Sequence, residues 1–283
     1  MKVARPNVSI AVATLFAINL LAFAQTGVNR QRPTDSPAFS LTAGTNKSAP
    51  TTEPATFAST AKPLGKGAVR SWVTFDPHGH PTAVGVTFNE AALDGLPADD
   101  PHGQHGTEYV VAMPPEASAT PFDHVGINWN PHGHEPSTIY DVGHFDFHFY
   151  MISREKRATI TAQGDDLEKT RRQPSAEFVP EGYIYGPDSE IAQMGAHWVD
   201  PRSHEFHGQA FTRTMIYGSY DGQFIFVEPM ITRAYLLSKP NATEPLKLPA
   251  RYAKSGYYPT QYSVRYDPEK KEYTVALEGM TLR

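Results

Sequence analysis

The run His144-Phe145-Asp146-Phe147-His148-Phe149-Tyr150 alternates large aromatic side chains with groups that can hold a metal ion. On a β-strand successive side chains point to opposite faces. Phe145, Phe147 and Phe149 therefore share one side, and His144, Asp146 and His148 share the other. The phenylalanine side reads as core. The opposite side then offers two imidazoles and a carboxylate on a rigid backing, donor types suited to a divalent transition metal. Positions two apart lie roughly 6.7 Å apart at Cα, close enough for both side chains to reach one ion, whereas His144 and His148 stand about 13 Å apart. One shared ion thus requires a bulge, or two ligands with the third group orienting them, for example by accepting a ring N–H. The plainer alternative is a solvated or hydrogen-bonded polar face.

Further ligands must come from elsewhere in the chain. His197 sits in the strand-like run Gly195-Ala196-His197-Trp198-Val199, and Glu228 ends Phe224-Ile225-Phe226-Val227-Glu228. Strict alternation places Phe224, Phe226 and Glu228 on one face, which turns Glu228 inward and gives it need of a partner. His134 and Glu135, in His132-Gly133-His134-Glu135, lie in a turn and read as an entrance or as supporting groups behind the ligands. The metal ligands expected are therefore His144, Asp146, His148, His197 and Glu228. Zn, Fe, Mn, Ni and Cu suit such a set about equally. With no cysteine in the chain, thiolate ligation and disulfides are excluded.

All 12 histidines fall between His78 and His207, and the last 76 residues contain none. His78, His80, His102, His105, His204 and His207 read as ordinary turn residues. No nucleophile elbow, phosphate-binding loop or dinucleotide fingerprint occurs, so no catalytic residue is assigned.

The elements that must position these groups are mostly strands. Val69–Phe75 and Ala83–Phe88 alternate around the turn Asp76–Pro81, and Asn89 then reads as the N-cap of a short helix, Glu90–Asp94. Further strands are expected at Glu108–Met113, Val125–Trp129, His144–Ile152 and Ala196–Val199. Phe211–Tyr220 and Gln223–Glu228 form a hairpin around Asp221-Gly222, a pair that suits a type I′ turn. A last hairpin joins Gln261–Tyr266 to Glu272–Leu277, and the charged stretch Arg154–Arg172 is helical in part. Regular turns, many aromatics and 25 prolines point to a mainly β fold, a sandwich or barrel with a few short helices.

The N-terminus has the parts of a cleavable secretory signal over residues 1–24. Lys2 and Arg5 are its only charges, an apolar run follows, and Ala22-Phe23-Ala24 precedes Gln25. Cleavage after Ala24 would deliver a secreted or periplasmic protein with no remaining membrane segment. Residues 25–65 are rich in Thr, Ser, Pro and Ala and read as a disordered tether, leaving 66–283 as a single β-rich domain. Removing Lys2 and Arg5 leaves 23 basic residues against 30 acidic ones, a formal charge of −7. Such a balance disfavours nucleic acid and anionic membranes as partners.

The segments Gly133-His134-Glu135-Pro136, Ile139-Tyr140-Asp141, His144–Tyr150 and Ile216–Gly222, with Glu228-Pro229-Met230, carry a family resemblance. Over roughly 68–240 the chain resembles uncharacterised secreted bacterial proteins typified by a Thermus protein under sigma-E control that assembles as a ring-shaped homodecamer. The resemblance implies a β-rich fold, export and homo-oligomerisation, and supplies no activity. Two functions stand side by side at this point. One is an exported envelope protein with a His/carboxylate metal site, whether or not the ion is catalytic. The other is a non-catalytic oligomeric binding or assembly protein of the cell envelope, linked to stress response.

Overall fold

In the computed structural model, residues 53–99 and 106–283 are described. The signal peptide, most of the tether, His102 and His105 lie outside the described residues. The chain lays down β1 (Ala55–Ala58), β2 (Lys62–Leu64), β3 (Gly67–Phe75), β4 (Pro81–Asn89), β5 (Thr107–Ala112), β6 (His124–Asn130) and β7 (His144–Tyr150). After the short helices α1 (Arg154–Ala158) and α2 (Asp165–Arg171) come β8 (Ile184–Ile191), β9 (Gly195–Val199), β10 (Arg213–Tyr220) and β11 (Gln223–Thr232). Helix α3 (Arg233–Leu237) leads to β12 (Asn241–Pro245), β13 (Tyr257–Tyr258), β14 (Gln261–Asp267), β15 (Glu272–Glu278) and β16 (Thr281–Leu282).

The fold is mainly β. One seven-stranded antiparallel sheet has the order β1-β3-β4-β15-β14-β12, with β2 also paired to β3, and a second runs β5-β6-β7-β11-β10-β9-β8. A continuous core joins them. It takes Val84, Val86, Phe88, Tyr273 and Val275 from the first sheet and Val125, Ile127, Phe145, Phe147, Phe149, Val227 and Ile231 from the second. The Phe88 and Phe147 rings stack across the interface at 6.0 Å. The phenylalanine stripe of β7 therefore faces the opposing sheet, as its alternation requires, and each ring contributes roughly 1.5–3 kcal/mol of burial. The outer face of the second sheet is covered as well. Tyr150, Ile160, Met194, Tyr220 and Phe226 form one apolar cluster there, and Tyr140, Phe211, Ile216 and Met230 form another. All seven residues of β7 are consequently buried.

Three expectations need correction. The tether does not extend to residue 65, because β1 pairs with β3 from Ala55↔Phe75 to Ala58↔Trp72, and β2 pairs with β3 through Leu64↔Gly67. An edge strand is held by backbone hydrogen bonds to its neighbour, so a Thr/Ala/Ser-rich segment pairs without a large apolar content; Leu64 alone is fully in the core. Secondly, Asn89 does not cap the following turn with its side chain. Its Oδ1 accepts from the Ala68 N–H at 3.2 Å, tying β3 to the end of β4, and Glu90–Leu93 is a 3₁₀ turn. Thirdly, alternation breaks within β11. Gly218 pairs with Phe226 but Ser219 pairs with Phe224, so Ile225 is an extra residue. Such a bulge moves what precedes it to the other face. Phe224 packs on the main core, while Phe226 belongs to the outer cluster. Glu228 shares its face with Phe226 and not with Phe224.

The Asp221-Gly222 turn between β10 and β11 has φ of +52° and +76°, as a type I′ turn demands. His78 and His80 lie in the β3–β4 turn, where Asp76 Oδ1 accepts from both backbone N–H groups at 2.8 and 2.9 Å. His204 and His207 form a 3₁₀ turn over His204–His207. None of the four joins a metal-capable group.

Candidate metal centre

The outer face of β7 carries not one cluster but two. Ligand-capable atoms of His134, His144 and Asp146 all lie within 4.8 Å of one another, and so do those of His148, His197 and Glu228. The distance along the strand explains the division. A regular β7 holds His144 and His148 about 13 Å apart, no bulge shortens that span against β6, and each histidine recruits partners from a different neighbour.

Asp146 is the hinge of the first group. Its Oδ1 lies 3.1 Å from His144 Nε2 and its Oδ2 lies 3.4 Å from His134 Nε2. Both imidazoles are engaged behind the cluster. His144 Nδ1 is 2.7 Å from the Val142 carbonyl and His134 Nδ1 is 2.7 Å from the Glu135 carbonyl. A carbonyl only accepts, so each Nδ1 carries the proton and each Nε2 of a neutral ring presents a lone pair. This is the arrangement by which outer partners set the tautomer of a metal-ligating histidine. His144 Nε2 and Asp146 Oδ1 are both buried and make no hydrogen bond. Two acceptor atoms facing each other at 3.1 Å repel unless a proton or a cation lies between them.

Asn130 completes the group from β6, where it pairs with His144. Its Nδ2 donates to Asp146 Oδ2 at 2.7 Å, and both residues are buried. Burial works against the Asp146 charge, but the imidazoles of His144 and His134, when protonated at Nε2, outweigh it and hold the carboxyl well below the usual carboxylate range. Burial likewise opposes a charge on His134, yet the hydrogen bond and charge of Asp146 raise its pKa above the ordinary 6.5.

His134 reaches the site because its loop folds back on itself. The His134 N–H donates to the Tyr140 carbonyl at 3.3 Å. Gly133, at φ +76°, permits this approach, since a Cβ there would lie 1.8 Å from the Tyr140 oxygen. The Tyr140 ring stands edge-on to both His134 and His144, at 6.0 and 6.5 Å between ring centres. The expected roles of His134 and Glu135 therefore separate. His134 is a member of the cluster and its most exposed one, with a side chain 25% exposed against 6% for Asp146. Glu135 turns outward, its carboxylate accepting from the Ser137 N–H at 2.6 Å and the Ser137 hydroxyl at 2.9 Å. Only its backbone carbonyl serves the site.

The second group spans three strands. The register that pairs Val227 with Phe149 and Met230 with Asp146 sets Glu228 of β11 opposite His148 of β7, and His148 Nε2 lies 3.5 Å from Glu228 Oε1. His197 comes from β9, opposite Gly218. Phe226 walls both imidazoles, its ring 4.8 Å from His148 and 5.4 Å from His197. Gly218 makes that possible, because a Cβ on it would fall 2.0 Å from the Phe226 ring. Burial pushes the Glu228 carboxyl up, and the nearby Asp146 charge pushes it further. His124, on the same face of β6, stacks on Tyr150 at 4.8 Å and contacts Asp123, and it joins neither group.

All five ligands expected from the sequence thus lie in the two groups, but His144 and Asp146 are in one and His148, His197 and Glu228 in the other. Sequence reasoning had no route to Asn130, whose place is set by the β6–β7 register, or to the Tyr140 carbonyl that folds the His134 loop.

No curated protein and no solved structure matches the chain. A family profile matches over residues 76–129, which covers β4, β5 and β6 up to Trp129, and stops short of Asn130 and β7. Across that stretch the chain resembles the family described as TTHB210-like, Hypothetical protein TTHB210, in line with the family resemblance expected from the sequence.

Proposed function

We propose that this is an exported protein that binds a divalent transition metal through His134, His144 and Asp146. One observation carries the reading: buried His144 Nε2 and Asp146 Oδ1 face each other at 3.1 Å without a hydrogen bond, while the outer nitrogens of both imidazoles are taken by carbonyls. With the His144 ring neutral, a cation between the two atoms converts their repulsion into coordination. Two imidazoles and one carboxylate suit Zn, Fe, Mn, Ni or Cu and disfavour the oxygen-seeking Mg and Ca. Three protein donors leave at least one position of a tetrahedral ion for water or a small ligand, on the side where His134 meets solvent. The signal-like residues 1–24 support export. Among the described residues no helix is long and apolar enough to cross a membrane.

The test is elemental analysis of the chain purified without an affinity tag, before and after incubation with salts of the five metals. At least one ion per chain is expected, with about one fewer in H144A and in D146N. Clearly less than one ion per chain after every incubation, or variants that keep the wild-type content, would refute the proposal.

A further inference from the structure

We infer that the chain binds an ion at a second, separate centre formed by His148, His197 and Glu228. The two triads share no ligand. His144 and His148, one from each triad, stand about 13 Å apart at Cα on a regular strand, and no residue is common to both triads to bridge two ions at the usual separation of about 3.5–4 Å. These are therefore two mononuclear centres side by side along β7, and the inference does not depend on the first centre being occupied.

Two further observations, beyond the proximity of the three side chains, point to a built site. The first lies in β8, whose pairing with β9 is interrupted between Tyr185 and Glu190. The interruption wraps around His197. The Ser189 carbonyl lies 2.8 Å from His197 Nδ1, and Ser189 Oγ accepts from the His197 N–H at 3.1 Å while donating to the Gly186 carbonyl at 2.6 Å. Ser189 thus fixes the ring and the backbone of His197 together, with the proton on Nδ1 and the Nε2 lone pair presented on the other side of the ring. This repeats, with different elements, the carbonyl lock on His134 and His144. The second observation is Glu228. It is 2% exposed and its Oε2 is buried without a hydrogen bond. A buried carboxyl oxygen is costly unless a donor or a cation meets it, and the His148 imidazole lies opposite Glu228 with its Nε2 3.5 Å from the other carboxyl oxygen. The ligand class is again a divalent first-row ion that accepts imidazole and carboxylate donors.

The experiment counts zinc retained by metal-stripped, zinc-reloaded full chain after dialysis against a weak chelator, which removes ions held by exposed histidines. Wild type should keep about two ions per chain. H197A and E228Q should each keep about one, H134A about one, and the H134A/H197A double variant none. Because E228Q replaces a buried group and could disturb folding, H197A at a half-buried position gives the independent reading, with circular dichroism reporting the fold of both. One ion in wild type that H197A retains would overturn the inference. One ion lost in H197A and unaffected by H134A would uphold this centre and instead remove the first.

Discussion

Replacing Asn130 by alanine should weaken metal binding at the Asp146 centre about 10- to 100-fold without unfolding the protein. The Asn130 side-chain amide donates to Asp146 at 2.7 Å within a buried setting, and its strand pairing with His144 runs through the backbone, which alanine keeps. A hydrogen bond to a buried charged group is worth about 1.5–3 kcal/mol. Loss of an outer partner of a metal ligand costs about 10–100-fold in affinity, which corresponds to about 1.4–2.7 kcal/mol. The two routes agree in size. Without the amide, the Asp146 carboxylate can rotate and the separation of its oxygens from His144 and His134 is no longer fixed. The assay is chelator competition with zinc on metal-stripped chain, in wild-type and H144A backgrounds. The N130A effect should appear in the first background and vanish in the second, where the centre is already lost. Affinity within about twofold of wild type, or an equal loss in the H144A background, would refute the reasoning.

Three other perturbations separate the site from its scaffold. Gly133→Ala forces a Cβ into the Tyr140 carbonyl at a φ of +76°, so it should displace the His134 loop and lower zinc affinity about tenfold or more while barely moving the thermal midpoint; unchanged affinity would contradict it. Phe147→Ala empties a fully buried position in the main core and should cost about 3–5 kcal/mol, a fall of about 6–20 °C in Tm by circular dichroism at this size. Asp166 accepts from the N–H groups of Thr161 and Ala162 at 2.8 and 3.1 Å and from the Tyr220 hydroxyl. Burial opposes its charge, but these donors hold its pKa below the ordinary 3.8. A depressed folded pKa gives stability that is present above the unfolded value and lost as pH falls through the folded one. Asp166→Asn should therefore cost about 1–2 kcal/mol in urea unfolding at pH 7, and the gap to wild type should shrink below about pH 4; a gap of constant size would contradict the assignment.

Most of the architecture was legible because strand alternation reports one partner only, the core. Phe145, Phe147 and Phe149 had to face inward whichever sheet lay opposite, and that alone oriented His144, Asp146 and His148 together. The same alternation misled at Phe224, because the extra residue Ile225 depends on Gly218 yielding room to Phe226, a relation between two strands that neither strand records. His134 was harder still. Its position is set by a loop folding onto Tyr140 through Gly133, and loops carry no periodicity. The tether boundary was misplaced for a related reason: β1 is an edge strand, and the composition of an exposed edge resembles that of a linker. The division of one expected cluster into two followed from the 13 Å span already present in strand geometry, which the His134 and His197 partners resolve from opposite ends of β7.

The most direct test of the metal reading is anomalous diffraction at the zinc edge from crystals of the zinc-loaded chain. The account predicts a peak bonded to His134 Nε2, His144 Nε2 and an Asp146 oxygen, each at about 2.0–2.2 Å. A map with no anomalous peak at these atoms, and with His144 Nε2 hydrogen-bonded to water or to a protein donor instead, would contradict it.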